Sequence, residues 1–103
     1  MVSSRKKISI IKLQTASKVL KTIAHPVRLQ ILNVLEKAEP LDVSTICSKI
    51  ESDVEISMLS HHLTKMKDNG LLISVKQGKH NLYSITDRNV LKIFDCIESC
   101  DAF

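Results

Sequence analysis

The sequence contains few residues that interrupt secondary structure and few aromatic residues that could anchor it to a membrane. Its 103 residues include two glycines, two prolines, one tyrosine, two phenylalanines and no tryptophan. No repeat, low-complexity tract or Gly/Ser-rich linker occurs, so we expect a single domain over residues 1–103. No apolar run approaches the roughly 18 residues that span a bilayer, and no strongly cationic amphipathic helix carries aromatic anchors. We therefore expect no membrane partner.

Cysteines are also few. Cys47, Cys96 and Cys100 are odd in number and cannot form a complete disulfide framework. The basic N-terminal segment MVSSRKKISII lacks the long apolar core and the small-residue cleavage site of a secretion signal. We expect a cytoplasmic protein whose cysteines are free thiols or ligands.

Charge is distributed unevenly along the chain. Residues 1–28 contain seven basic residues and no acidic residue, whereas residues 29–55 contain two basic and six acidic residues. Residues 56–80 return to four lysines against Asp68, and the net charge is +4. Two basic zones that flank an acidic one favour a polyanionic partner, with a solvated lysine-rich surface as the alternative.

Apolar residues at helical spacing predict three helices before residue 51. The first covers residues 8–23. The second, residues 26–37, starts at Pro26, because proline disfavours helix in the preceding residue and suits a first helical turn. The third, residues 41–50, buries a stripe at i, i+3, i+4 and i+7 spacing, formed by Val43, Ile46, Cys47 and Ile50. This stripe favours a core position for Cys47 over a reactive one.

The fourth helix has a start signal and a stop signal. Ser52 and Glu55 are spaced as in a capping box, and Gly70 after Asn69 supplies a left-handed stop. At about 100° per residue, one side of this helix is apolar and the other carries short polar side chains. The apolar side consists of Leu59, Leu63 and Met66. The polar side consists of Ser57, Ser60, His61 and Thr64, with Lys65 beside them.

The polar side of the fourth helix suits the major groove of DNA. Short side chains let the helix backbone enter the groove and offer hydrogen-bond donors and acceptors to base edges, while Lys65 adds charge for phosphates. An ordinary solvated surface is the alternative. Adjacent residues do not face each other on a helix, so the pair His61 and His62 is not expected to hold a metal. We expect His61 to point outward and His62 to be a partly buried structural residue.

The β-prone segments 71–76 and 80–85 predict a hairpin after the fourth helix. Basic side chains surround the flexible Gly78 at its tip, namely Lys76, Lys79 and His80. A basic wing beside a recognition helix contacts phosphates or the adjoining minor groove; alone, these residues would also fit an ordinary surface turn. With a last helix from about residue 87, the element order is mainly α with a small β-hairpin, that of a winged helix-turn-helix domain.

The first and last helices carry more apolar surface than one small core can cover, which predicts a homodimer. The first helix contributes Ile8, Ile11, Val19 and Ile23, and the last contributes Val90, Ile93, Phe94 and Ile97. Cys96 and Cys100 flank the second stripe. Four residues apart on a helix, they are too distant for a disulfide bond. They are either small hydrophobic residues at the dimer seam or a redox or thiolate-metal sensor across it.

Three segments of this sequence resemble the ArsR/SmtB repressors, a family of small homodimeric winged-helix proteins. They are LKTIAHPVRLQIL at 20–32, LSHHLTKMKDNGLL at 59–72 and VKQGKHNLYSI at 75–85. The resemblance implies a dimer built from the first and last helices that binds double-stranded DNA at an imperfect inverted repeat in a promoter. It also implies release from DNA by an inducer, which the sequence does not identify.

The metal-sensing motifs of that family are not matched. The family's metal box on the third helix has a Cys-Val-Cys core after a leucine, and the positions here after Leu41 are Asp42, Val43 and Ser44. The zinc-type site on the last helix aligns with Asp87, Asn89, Cys100 and Phe103, of which Asp87 alone is retained. We therefore expect no metal, no cofactor and no arsenic, cadmium or zinc sensing of the family's usual kind.

A DNA-binding transcriptional regulator is the function that these patterns favour, and the resemblance implies specifically a homodimeric repressor. A winged-helix module that binds protein instead of DNA, and a repressor that senses redox state or metal through its cysteines, are the alternatives. No enzyme is expected, because no glycine-rich phosphate loop, paired carboxylates in a cleft or nucleophile with an orienting base can be assigned.

Overall fold

The computed structural model describes residues 6–103. The first five residues of the basic N-terminal segment, and the prediction that concerns them, lie outside this range. The described chain forms α1 (Ile10–Ile23), α2 (Pro26–Lys37), α3 (Val43–Lys49), α4 (Ile56–Asp68), β1 (Leu72–Gln77), β2 (His80–Ile85) and α5 (Lys92–Ser99). A 3-10 turn, Arg88–Leu91, precedes α5. The predicted fold class, mainly helical with a β-hairpin, is confirmed.

Helices α1 to α3 each begin at a side chain that accepts a backbone hydrogen bond. The hydroxyl of Ser9 accepts from the Lys12 amide at 3.2 Å, and Nδ1 of His25 accepts from the Val27 amide at 3.2 Å. A carboxylate oxygen of Asp42 accepts from the Thr45 amide at 2.9 Å. Such caps satisfy amides that have no partner within the helix. Pro26 is the first residue of α2, as predicted.

Helix α3 is shorter than predicted because Leu41 and Asp42, its first two expected residues, lie before the helix and make other contacts. Leu41 forms an isolated antiparallel bridge with Tyr83 of β2. The Leu41 amide donates to the Tyr83 carbonyl at 3.1 Å, and the Tyr83 amide donates to the Leu41 carbonyl at 2.8 Å. Asp42 then caps the helix. The backbone at the start of α3 is therefore fixed to the hairpin.

The predicted capping box of Ser52 and Glu55 is wrong. Glu55 is the N-cap residue of α4 but makes no side-chain cap hydrogen bond. The hydroxyl of Ser52 instead accepts from the side-chain amide of Gln30 in α2, whose oxygen accepts from the Glu51 amide at 2.8 Å. Gln30 of α2 thus holds the segment before α4, and the first turn of α4 has no side-chain cap. The predicted stop is confirmed, since Gly70 has φ of +81° directly after the helix ends.

The core lies between α2, α3, α4 and the base of the hairpin. Its fully buried side chains are Ile31, Leu32, Leu35, Ile46, Leu59, Leu63, Met66 and Leu72. The predicted α3 stripe is confirmed, because Ile46 and Ile50 are buried and the half-buried Val43 and Cys47 pack against them. Each fully buried side chain of this size contributes about 1.5–3 kcal/mol. This core holds one face of α4 and leaves the opposite face free.

The hairpin and the last helix complete the described chain. β1 and β2 are antiparallel, with Leu72 opposite Ile85 at the base and Gln77 opposite His80 at the tip. The last helix was expected from about residue 87, but Asp87 caps the 3-10 turn through its bond from the Asn89 amide at 2.9 Å, and α5 starts at Lys92. Within residues 6–103, no helix has the length and apolar character needed to cross a membrane.

Candidate nucleic-acid interface

Helix α4 has one buried and one exposed side. Leu59, His62, Leu63 and Met66 are buried. On the other side, Ser57, His61, Thr64 and Lys65 are exposed and Ser60 is half-buried. The helix therefore brings the four side chains predicted to contact bases to a single accessible side, with the predicted phosphate contact of Lys65 next to them. Their contact with DNA stays a prediction.

His62 is a structural residue, as predicted. It is 5% exposed, and its Nδ1 accepts a hydrogen bond from Nε of Arg28 at 3.0 Å. Its ring centroid lies 4.4 Å from that of His25 and 6.3 Å from that of His61. Burial lowers the pKa of His62, and the nearby His25, Arg28 and His61 lower it further. An Nδ1 that accepts from Arg28 leaves the proton of the neutral imidazole on Nε2.

Arg28 joins three helices and was missed in the sequence analysis. Besides its bond to His62 in α4, its Nη1 donates to the carbonyl oxygen of Thr22 near the end of α1 at 3.0 Å. Arg28 itself belongs to α2. A signal was present, because Arg28 precedes Ile31, Leu32 and Leu35 at i+3, i+4 and i+7, the core stripe of its helix. An arginine on such a stripe needs buried acceptors.

The hairpin tip presents lysines around a glycine, as expected. Gly78 has φ of +62°, a conformation that glycine adopts at little cost. Lys76 and Lys79 on either side of it are exposed. These residues and the outward side of α4 form the candidate DNA surface, defined as Ser57, Ser60, His61, Thr64, Lys65, Lys76, Gly78 and Lys79.

His80, which was predicted to join that surface, has a partner within its own chain. Its Nδ1 lies 3.3 Å from a carboxylate oxygen of Asp42, the cap of α3, although the His80 side chain remains 65% exposed. Hydrogen bonds from the Thr45 side chain and amide lower the pKa of Asp42, and His80 lowers it further. His80 therefore ties the hairpin tip to the start of α3.

The base of the hairpin is fixed by two residues that sequence analysis did not single out. A carboxylate oxygen of Glu39 accepts from the Ile85 amide at 2.8 Å, and the other pairs with the Arg88 guanidinium. Nη2 of Arg88 also donates to the Glu36 carbonyl at 2.9 Å. These partners are 46 to 52 residues apart in the chain, so no local spacing could have identified them.

The residues predicted to form the dimer interface differ in exposure within one protomer. Ile11 is 72% exposed, whereas Ile23 is buried in the protomer's own core. The others are half-buried, namely Val19, Val90, Ile93, Phe94 and Ile97. Further apolar side chains of α1 are exposed, namely Ile10, Leu13 and Leu20.

The cysteines and the family's metal positions have ordinary structural surroundings. Cys96 and Cys100 are both exposed. Cys100, expected within the last helix, is the C-cap residue of α5, where its amide donates to the Cys96 carbonyl at 2.9 Å. Asp42 and Asp87, at aligned metal positions, cap helical turns. Residues 6–103 contain no cluster of three or more His, Cys, Asp or Glu side chains suited to a metal.

Comparison with known proteins identifies the family. The sequence model of a family described as a helix-turn-helix domain matches residues 23–75, from the end of α1 into β1. The transcriptional repressor PagR of Bacillus anthracis is 37% identical over 84 residues, which cover 82% of each chain. This chain belongs to the ArsR/SmtB family of winged helix-turn-helix regulators. The family resemblance stated from the sequence is confirmed.

A further relative and two solved structures agree with this assignment. The regulator YgaV of Escherichia coli is 30% identical over 86 residues, covering 84% of this chain and 85% of YgaV. The crystal structure of PagR has a TM-score of 0.74 at 34% identity, covering 86% of this chain and 99% of that one. A homodimeric winged helix-turn-helix domain from Mycobacterium bovis shares the fold, with a TM-score of 0.72 at 24% identity over 94% of this chain and 87% of that one. The chain is a DNA-binding transcriptional regulator and not an enzyme.

Proposed function

We propose that this ArsR/SmtB protein is a homodimeric repressor that binds an imperfect inverted repeat through α4 and the hairpin and leaves it when an inducer binds. The observation that carries the proposal is the division of α4, whose core side is fully buried while its opposite side presents short polar groups. The naming of PagR as a repressor supports the direction of regulation. Since the target would be chromosomal DNA, we place its action in the cytoplasm.

Base recognition would use the exposed side of α4. The hydroxyls of Ser57, Ser60 and Thr64 each donate and accept, and the His61 imidazole can do either. Because these side chains are short, the helix backbone can approach base edges in the major groove, the usual position of a recognition helix. A good bidentate contact contributes about 1–3 kcal/mol of discrimination between bases.

Phosphate contacts would come from Lys65 on α4 and from Lys76 and Lys79 at the hairpin tip. All three are exposed, and none has a salt-bridge partner among residues 6–103. Gly78 lets the backbone of the tip come close to the DNA strand. Unlike these lysines, His80 already has a partner, because its Nδ1 contacts the Asp42 carboxylate. We therefore assign His80 to orienting the wing rather than to binding phosphate.

A second copy of the chain would cover the apolar residues of α1. Ile10, Ile11, Leu13 and Leu20 on this helix are between 48% and 72% exposed. The half-buried stripe of α5 would extend the interface, and the homodimeric Mycobacterium bovis domain of the same fold supports this arrangement. A two-fold dimer would place its two α4 helices in successive major grooves, about 34 Å apart, which matches an inverted repeat.

Selection from random double-stranded DNA with the full chain tests the proposal. We expect enrichment of an inverted repeat whose half-site centres are about one helical turn apart, and tight binding of the selected duplex by one dimer in sedimentation. A duplex with one half-site scrambled is the control and should bind weakly. Failure to enrich any sequence would contradict the proposal and favour the alternative of a protein-binding module.

A further inference from the structure

We propose that Ile56 and Met58, in the first turn of α4, contact the 5-methyl groups of two thymines in each half-site. This inference rests on the proposed function and adds to it the kind of base that the first turn selects. Neither side chain was singled out in the sequence analysis. By spacing, Ile56 precedes Leu59 and Leu63 by three and seven residues and so begins the apolar stripe of the helix, whereas Met58 falls outside it.

The exposure of these two side chains is unlike that of the other apolar residues of α4. Leu59, Leu63 and Met66 are fully buried, whereas Ile56 is 48% exposed and Met58 is 50% exposed. Both exposed residues belong to the first turn of α4. About half of each side chain is not covered by any other part of residues 6–103. A partner that covered them would remove this apolar surface from water, which is favourable.

The position of the first turn indicates which partner this is. At about 100° per residue, Ile56 and Met58 lie on either side of Ser57, the first of the predicted base contacts. The N-terminal residues of a recognition helix are those that contact base edges. A protein partner on this turn would cover Ser57 and His61, so the same surface could not then bind DNA. DNA is thus the partner that fits, because the first turn adjoins the polar side of α4 that we propose contacts DNA.

The major groove offers one apolar group that fits such side chains. Among the four bases, only thymine presents a methyl group there, whereas the other groove edges present hydrogen-bond donors and acceptors. An isoleucine and a methionine have no polar atom able to use those donors and acceptors strongly. Their contribution to sequence choice is therefore a preference for thymine, read separately from the hydrogen bonds of Ser57, Ser60 and His61.

Replacing thymine by uracil tests this directly, because uracil keeps the base pair and lacks only the methyl group. In the selected duplex, each thymine of one half-site and its symmetry mate would be replaced together, and affinity would be measured by fluorescence anisotropy. For the unaltered protein, we expect two thymines per half-site whose replacement weakens binding by about fourfold per methyl, and therefore by about sixteenfold for the symmetric pair.

Two variants connect each side chain to its thymine. Ile56→Ala should bind the thymine and uracil duplexes equally at one of these positions, and Met58→Ala should do so at the other. Ile56→Val keeps a branched apolar side chain and should retain most of the sensitivity. Ile73→Ala is the matched control, because Ile73 is equally exposed at 50% but lies near the base of β1; it should leave both sensitivities unchanged.

Comparing thymine and uracil duplexes distinguishes the loss of a base contact from a misplaced or misfolded helix. A variant that merely misplaced α4 would weaken binding to the thymine and uracil duplexes by the same factor, and that result would overturn the inference. So would a selected site at which no uracil replacement weakens binding of the unaltered protein. If the unaltered protein bound selected and scrambled duplexes equally, the proposed function itself would fail, and this inference with it.

Discussion

Helix α4 and helix α1 differ in how much of their apolar surface the protomer covers. In α4 the side chains of Leu59, Leu63 and Met66 have no exposure at all. In α1 the burial is confined to Thr22 and Ile23 at the C-terminal end, while Ile10 and Ile11 remain largely exposed. The orientation of α4 is therefore set within one protomer, whereas most apolar side chains of α1 remain exposed and form the surface that we propose a second chain covers. Arg28 connects the two helices through Thr22 and His62.

The largest expected effect comes from charging the exposed side of α1. Ile11→Asp should separate the dimer and lower operator affinity by a factor on the order of 10² to 10⁴, because each half-site would then bind without the other. Sedimentation and anisotropy measure the two effects. A stable Ile11→Asp dimer would mean that α1 is not the interface.

Removing the connection between α1 and α4 should destabilise the protomer. Arg28→Ala leaves Nδ1 of His62 and the Thr22 carbonyl without their donors, and the free energy of unfolding should fall by about 2–4 kcal/mol. Urea denaturation gives this value. Arg28→Lys cannot make both contacts from one planar group and should recover only part of the loss. Equal stability of Arg28→Ala and the unaltered chain would show that the contacts are dispensable.

The two neighbouring histidines of α4 should differ in phenotype. His61→Ala should weaken binding to the selected operator by about 1–3 kcal/mol per base contact, and leave nonspecific binding and thermal stability nearly unchanged. The check is a pair of titrations with operator and scrambled duplexes, together with thermal denaturation. An unchanged sequence preference would move His61 from base contact to a structural role.

Acid should weaken the fold through His62. Burial lowers the folded-state pKa of His62 below its ordinary value of 6.5, so between those two pH values the unfolded chain binds more protons. The contribution to stability is therefore present above pH 6.5 and declines as pH falls towards the folded-state pKa. His62→Gln can still accept from Arg28 but does not titrate, so its unfolding free energy should decline less between pH 7 and pH 5.5. Parallel curves would contradict this.

The smallest effect is expected at the hairpin tip. Lys79→Ala should weaken binding to operator and scrambled DNA by similar factors and reduce the slope of log affinity against log salt by about one unit for each lost phosphate contact. Titrations at several salt concentrations measure the slope. A loss confined to the operator would instead place Lys79 against a base edge.

Local spacing was sufficient for much of the fold and for the side of α4 that faces outward. Helical periodicity predicted the buried residues of α3 and α4 because residues three and four apart share a face whatever they pack against. Gly70 and Gly78 were identified as turn positions because glycine adopts positive φ at little cost. Helical periodicity also separated His61 from His62. In the structure, His61 is exposed to solvent and His62 is buried against the core.

What the sequence by itself determined is the set of helices, the hairpin and the two sides of α4, since these depend on spacings of a few residues. The tertiary structure alone decided which polar groups meet. Arg28 and His62 are 34 residues apart, and Gln30 and Ser52 are 22 apart. It also decided that Ile23 is covered within the protomer while Ile56 and Met58 are not. Burial depends on neighbours brought together from distant parts of the chain, and helical spacing fixes only which residues share a face.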